Sequence, residues 1–290
     1  MVRRLVYHYG PRSRVLTAVF VVGIGAYWQL GPDIGEAIPS AAGWKKIGDF
    51  FSAAVSPAMQ YEHSVPAGTD PLLLKSLKSI WLTLAFAIVS VSLALIGGGI
   101  LSFISSSAWW EDDPNLVASP ARKIFRNTLA PAMKWTARTI MVMTRSVHEL
   151  LWAVLFMSAM GLSWATAILA IAIPFSGIFA KIFSEMIDEA PRDAAYALRE
   201  LGASPLKVFC FGLLPRAIPD MTAYACYRLE CGMRSAAIMG FFGFQTLGYY
   251  LALAFDETHF HEVWTYLYSL IALIIVVDIW SGWMRRRLVG

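Results

Sequence analysis

Pro191-Arg-Asp-Ala-Ala-Tyr-Ala-Leu-Arg-Glu-Leu-Gly-Ala-Ser-Pro-Leu-Lys-Val-Phe-Cys-Phe-Gly-Leu-Leu-Pro215 is the one sizeable polar-studded interlude in the apolar C-terminal half of the chain. Pro191 suits a first helical turn, and Ala194, Leu198 and Leu201 recur on one helical face. Gly202 stands where a left-handed C-terminal cap stops a helix. Ser204 offers an N-cap oxygen and Pro205 a preset first helical position, so a second short helix is expected to start at once and run to a break at Pro215. The stretch reads as two short helices meeting at Gly202, a docking element that the rest of the chain presents.

Outward from that stretch, the 290 residues are 57% hydrophobic and only 15% charged, with 11 Trp. That balance excludes an ordinary soluble domain and marks a polytopic membrane protein. The net charge of +4 is spread in clusters that flank apolar runs, which fits membrane orientation and not a nucleic-acid stripe. Cys210, Cys226 and Cys231 form no C-x-x-C pair and read as small hydrophobes without a disulfide framework.

Apolar runs long enough to cross a bilayer lie near 15–31, 79–104, 138–160, 164–184, 212–240 and 263–284, about six spans in an all-α chain. Gly161-Leu-Ser163 is a very short connection, and Thr139 to Glu149 is mixed in polarity, so a tight hairpin and a broken helix both fit there. Arg3, Arg4, Arg12 and Arg14 precede the first run, which lacks a clean cleavage site after it and is expected to remain as a span. Arg122, Lys123, Arg126 and Lys134 follow the second run and Arg285, Arg286 and Arg287 the last, whereas 241–262 has no Lys or Arg. Both termini and the 191–215 stretch are therefore expected on the cytoplasmic side. The segment 32–77 is then external, with an interfacial helix expected around Trp44 to Phe51.

With Gly202 and Leu214-Pro215 placed, the pattern resembles the loop of bacterial ABC-importer permeases, in which a Glu-Ala-Ala triplet precedes a Gly at a fixed interval and a Leu-Pro follows. Here the triplet is Tyr196-Ala197-Leu198, and Gly212 occupies the place of the usual Ile. Ala197-Leu198-Arg199, Gly202-Ala203-Ser204 and Phe211-Gly212-Leu213-Leu214-Pro215 are similar to the phosphonate-transport permeases in particular. So are Arg145-Ser-Val-His-Glu-Leu-Leu-Trp-Ala153, with His148 in place of a family Pro, then Tyr227-Arg228-x-Glu230 with Arg234, and Asp278-x-x-Ser281 before the terminal arginines. The family's Gly-Ala-Gly-Gly-Ile-Gly stretch is here Gly243-Phe-Gln-Thr-Leu-Gly248.

The resemblance implies a type I ABC-importer permease core over 79–290, with coupling helices near 187–214, preceded by an N-terminal span and external segment over 1–78. It implies a homodimer in the bacterial cytoplasmic membrane, a cytoplasmic ABC ATPase dimer that binds ATP and Mg, and an external phosphonate-type substrate-binding protein. The cargo implied is a phosphonate or a related phosphorus oxyanion; phosphite, phosphate and amino acids are the alternatives. ATPase coupling falls on Tyr196, Ala197, Leu198, Gly202, Ala203, Ser204, Leu214 and Pro215, and the external gate on Gly240, Gly243, Gln245 and Gly248.

Charges inside apolar runs cost several kcal/mol unless paired or facing a cavity. Arg145, Glu149, Arg228, Glu230 and Arg234 are therefore candidates either for the substrate pathway, where a guanidinium fork matches tetrahedral oxyanions, or for structural pairing. Arg145 with Glu149, and Glu230 with Arg234, have the i, i+4 spacing of intrahelical pairs. The absence of G-x-x-x-x-G-K-[ST] from the sequence means that this chain is not expected to hydrolyse ATP. Neither H-E-x-x-H nor G-x-S-x-G occurs, which argues against a membrane-embedded enzyme. His259, His261 and Glu262, with Asp256 and Glu257, read as solvated polar residues, and no metal or other cofactor is expected on this chain.

Overall fold

The computed structural model describes residues 11–31, 38–66, 68–108 and 128–289. Among the described residues all regular structure is helical, and 54–66 and 68–71 are turns and coil. The chain divides into two compact units, Met1–Ser52 and Ala53–Gly290. The first holds α1 (Pro11–Leu30), a helix long and apolar enough to cross a membrane, and nearly all of α2 (Ala41–Ala53), which covers the helix expected around Trp44.

The larger unit begins with α3 (Leu72–Ser105), followed by α4 (Ala130–Ser146), α5 (Glu149–Met160) and α6 (Trp164–Glu189). Two short helices follow, α7 (Asp193–Glu200) and α8 (Pro205–Val208), the latter running through a π turn (Phe209–Leu213) into α9 (Leu214–Ile238). A 3-10 turn (Met239–Phe242), α10 (Leu247–Asp256) and α11 (Phe260–Val289) complete it. Helices α3 and α6 pack along each other, with α9 against both. Small residues permit this: a Cβ on Gly98 would sit 2.9 Å from the Ser176 carbonyl oxygen and 3.2 Å from the Ala180 nitrogen, the close backbone approach on which membrane helices rely. Phe86, Ile171, Phe179 and Met233 fill the core between them.

Helices α1, α3, α6 and α11 qualify as spans, and the bent pairs α4–α5 and α8–α10 bring the number to six if each counts as one. The 138–160 run is thus broken in two by a bend of 91°. The bend removes one sequence expectation: Arg145 ends α4 and Glu149 begins α5, so they do not share a helix and form no i, i+4 pair. The second span starts at Leu72 instead of near 79, because Lys78 is neutralised by Asp70 at 2.5 Å and Lys75 lies over the Tyr250 ring at 4.5 Å. Both basic residues are thereby accommodated in the helix's opening turns.

Pro215 does not stop the second short helix. Helix continues from Pro205 to Phe242, with Pro215 in the first turn of α9, where its missing N–H is harmless. The π turn directly before it carries the register change, the Leu214 N–H donating to the Phe209 carbonyl.

Candidate coupling and pathway sites

The 191–215 stretch folds as two short helices around Gly202, as its punctuation requires. Helix α7 begins at Asp193, two residues beyond Pro191. It ends in a Schellman motif: the Ala203 N–H donates to the Leu198 carbonyl at 3.0 Å and the Gly202 N–H to the Arg199 carbonyl at 2.9 Å. Gly202 has φ +76°, the left-handed conformation that the motif demands and that a Cβ penalises. Ser204 takes the N-cap position of α8 with its carbonyl, which accepts from the Val208 N–H at 3.0 Å. Its hydroxyl makes no cap hydrogen bond, contrary to the sequence expectation.

The element sits on a defined seat. Ala195, Val208, Phe209 and Leu213 pack with Ile187, Ala190 and Ala217 in one apolar cluster, and Leu198, Ala203 and Leu214 lie partly buried against it. Gly212 faces Ala195 so closely that a Cβ there would be 3.1 Å from the Ala195 Cα. A branched side chain at this place would press on the α7 backbone. The seat is tied to α3 by Asp188, whose Oδ1 accepts from the Ser106 hydroxyl at 2.7 Å and from the Ser107 and Ala108 amides at 2.7 and 3.0 Å. Lys134 of α4 donates to the Ser107 hydroxyl at 3.0 Å.

The seat leaves three large apolar side chains outward, among the exposed charges Asp193, Glu200 and Lys207. Tyr196 is 52% exposed, Leu201 83% and Leu206 54%. Leu201 therefore does not join Leu198 on a buried face, because it lies beyond the last full turn of α7 where the chain reverses. Ala197, Gly202 and Ser204 are exposed beside these three, and so is Pro215. A cleft of about 580 Å³ opens next to the seat, lined by Glu189, Pro191, Arg216, Asp220, Tyr224 and Arg285 among others. Neither Asp188 nor this cleft is legible in the sequence, where the acidic residues simply follow an apolar run.

The pathway candidates do not gather into one cluster. Glu149 accepts from the Ser235 hydroxyl of α9 at 2.8 Å and has His148 Nε2 at 3.6 Å. His148 also caps α5, its Nδ1 accepting from the Leu150 N–H at 3.3 Å, which accounts for a His at the bend. Glu230 and Arg234 form the expected i, i+4 pair at 2.5 Å. The Arg228 guanidinium lies 4.2 Å from the centre of the Phe175 ring, and its Nε is buried without a hydrogen-bond partner. Arg145 is exposed and has no ion pair among the described residues.

Gly240, Gly243, Gln245 and Gly248 do come together, in the tight turn that joins α9 to α10. Gly248 packs on the Ala237 carbonyl, and a Cβ on Gly240 would meet Gly248 and the Thr246 hydroxyl, both at 2.6 Å. The turn is pinned to α3 by the Leu247 N–H, which donates to the Thr83 hydroxyl at 3.0 Å. Gln245 is exposed between two small cavities. One, about 250 Å³, is lined by Ser163, Trp164 and Phe244. The other, about 300 Å³, is lined by Lys75, Lys78 and Tyr250.

Residues 127–290, more than half of the chain, match the family model of the binding-protein-dependent transport system inner membrane component. The chain belongs to this family. Among curated members it is 29% identical over 209 residues to the phosphite transport system permease protein PtxC of Stutzerimonas stutzeri, covering 71% of this chain and 68% of that one. It is 28% identical over 159 residues to the phosphate-import permease protein PhnE of Mycolicibacterium smegmatis, covering 55% of this chain and 30% of that one. The fold is that of ABC-importer permeases. An inward-facing methionine ABC transporter, MetNI, superposes with a TM-score of 0.60 at 19% identity, over 76% of this chain and 99% of that chain. An amino acid ABC transporter with histidines superposes with a TM-score of 0.59 at 15% identity, over 74% and 94%. The chain is thus a transport permease of the inner membrane.

Proposed function

We propose that the chain works as a homodimer, with the pathway at its two-fold axis, and imports a phosphorus oxyanion such as phosphite, phosphonate or phosphate. An external binding protein delivers the cargo, and a cytoplasmic ATPase dimer, which binds ATP and Mg, docks on the face formed by Tyr196, Leu201 and Leu206. The observation that carries the docking is this apolar face held outward on a packed seat. Three large apolar side chains exposed together on one short element suit a partner's surface, whereas a single one would not. The curated relatives' phosphite and phosphate names carry the cargo class.

In this reading both termini and the docking element are cytoplasmic, and the α9–α10 turn with Gly240, Gly243, Gln245 and Gly248 lies at the external mouth. Closure of the ATPase dimer on ATP moves α7 and α8 as one body, because the Ala195–Gly212 contact and the cluster around Phe209 leave no slack. The motion passes to α6 and α9, which the element joins, and Asp188 passes it to α3. Arg145 offers an unpaired guanidinium to the passing oxyanion, a contact weak enough to release it.

Proteoliposomes holding the permease, its ATPase and internal ATP, supplied with the binding protein, test the reading. ATP-dependent uptake of phosphite, methylphosphonate or phosphate is expected. Uptake of methionine or histidine with none of the three oxyanions would overturn the cargo assignment.

A further inference from the structure

We propose that His63, Glu257 and His259 form a binding site for a divalent transition-metal ion of the zinc type. His63 lies far from the other two in sequence, and the fold alone brings them together: one donor atom from each lies within 4.8 Å of the others. The imidazole rings of His63 and His259 stack nearly parallel, 5.0 Å between centres and 9° between planes.

The surroundings prepare these groups for coordination. His63 turns Nδ1 toward Oε1 of Glu262 at 3.3 Å. Glu262 is only 3% exposed, and the same oxygen accepts from the Glu62 N–H at 2.7 Å. A buried carboxylate at this place can accept the Nδ1 proton, which would leave the Nε2 lone pair for a metal, the arrangement typical of a metal-ligating histidine. His259 carries the complementary signal. Its Nδ1 is buried with no hydrogen-bond partner, although Oε2 of Glu257 lies 3.2 Å away. Thr258 between them adopts φ +60°, a conformation that a β-branched residue takes only against a cost.

Two imidazoles and one carboxylate suit zinc and neighbouring borderline ions, whereas calcium and magnesium call for oxygen donors. Donor atoms around a tetrahedral zinc stand about 3.3 Å apart, given zinc–ligand distances of about 2.0 Å. Small rotations of His63 and Glu257, both exposed, close the present spacing, and the fourth position stays open to water. A bound ion would staple the segment ending at His63 to the α10–α11 turn. That segment already docks on α11: the Thr265 hydroxyl donates to the Ala58 carbonyl at 2.7 Å and the Ala58 N–H to the His261 carbonyl at 3.1 Å. None of this depends on the cargo.

The test uses the full chain without a histidine tag, in nanodiscs, dialysed against chelator and titrated with zinc or cobalt. One equivalent per chain is expected, with a tetrahedral cobalt absorption band and a rise in Tm. His63→Ala and His259→Ala should each lower zinc affinity at least tenfold, and Glu262→Gln should lower it about 10- to 100-fold. Unchanged stoichiometry and affinity in His63→Ala/His259→Ala, or no binding by the wild type, overturns the proposal. Should the alanine variants misfold, His63→Gln provides the same comparison.

Discussion

Gly212 lies against Ala195 with no room for a side chain: a Cβ would stand 3.1 Å from the Ala195 Cα and 3.2 Å from its nitrogen. This contact joins α7 to the π turn that opens α9. Helix α8 therefore runs directly into α9, with α7 packed against that junction.

Gly212→Val should force the two apart. Overpacking of this kind costs about 1–3 kcal/mol, so Tm in detergent should fall while the helical content stays the same. A variant with unchanged Tm and full transport would show that the seat is not close-packed.

Gly202→Val tests the reversal of the chain. Nothing lies within 4 Å of the added Cβ, so the penalty is one of backbone alone, about 1–2 kcal/mol for a left-handed residue. ATPase activity in the assembled transporter should persist while uptake falls. Gly202→Asn, which tolerates positive φ, should restore much of the uptake.

Asp188 accepts three hydrogen bonds on one oxygen. Asp188→Ala leaves the Ser107 amide and the Ser106 hydroxyl without this acceptor, while the Ala108 N–H keeps the Ser106 hydroxyl oxygen at 3.2 Å. It should cost at least about 2 kcal/mol, since bonds to a charged acceptor contribute about 1.5–3 kcal/mol each. Asp188→Asn keeps an oxygen at the same place and should be milder. Equal Tm values for the two variants would contradict the assignment.

The candidate charges separate by what they touch. Arg145→Gln should reduce oxyanion uptake with little change in Tm, because no ion pair is lost. Arg234→Gln breaks the contact with Glu230 and should lower Tm as well. The reverse pattern would place Arg234 on the pathway and Arg145 in the scaffold.

Much of this was readable in the sequence because the membrane imposes length. Six apolar runs match six spans or bent pairs, and Pro191, Gly202, Ser204 and Pro205 mark the two short helices. Boundaries slipped where a local partner changes a residue's meaning. Lys75 and Lys78 set the expected start of the second run near 79, until Tyr250 and Asp70 are seen beside them. The 91° bend between Ser146 and Glu149 has no Gly or Pro to announce it, and His148 does the capping there. Leu201 matched a buried stripe by period but lies past the helix end. His63 and Glu262, and Asp188 with Ser106, meet only in three dimensions, and no spacing encodes them.

Docking of the ATPase on the outward face of Tyr196, Leu201 and Leu206 is tested by co-purification of the ATPase with a Leu201→Glu/Leu206→Glu permease, read beside the permease's own Tm. The ATPase should be lost, along with uptake, while Tm holds within a few degrees, because both side chains are exposed. Undiminished co-purification and uptake in that variant would contradict it.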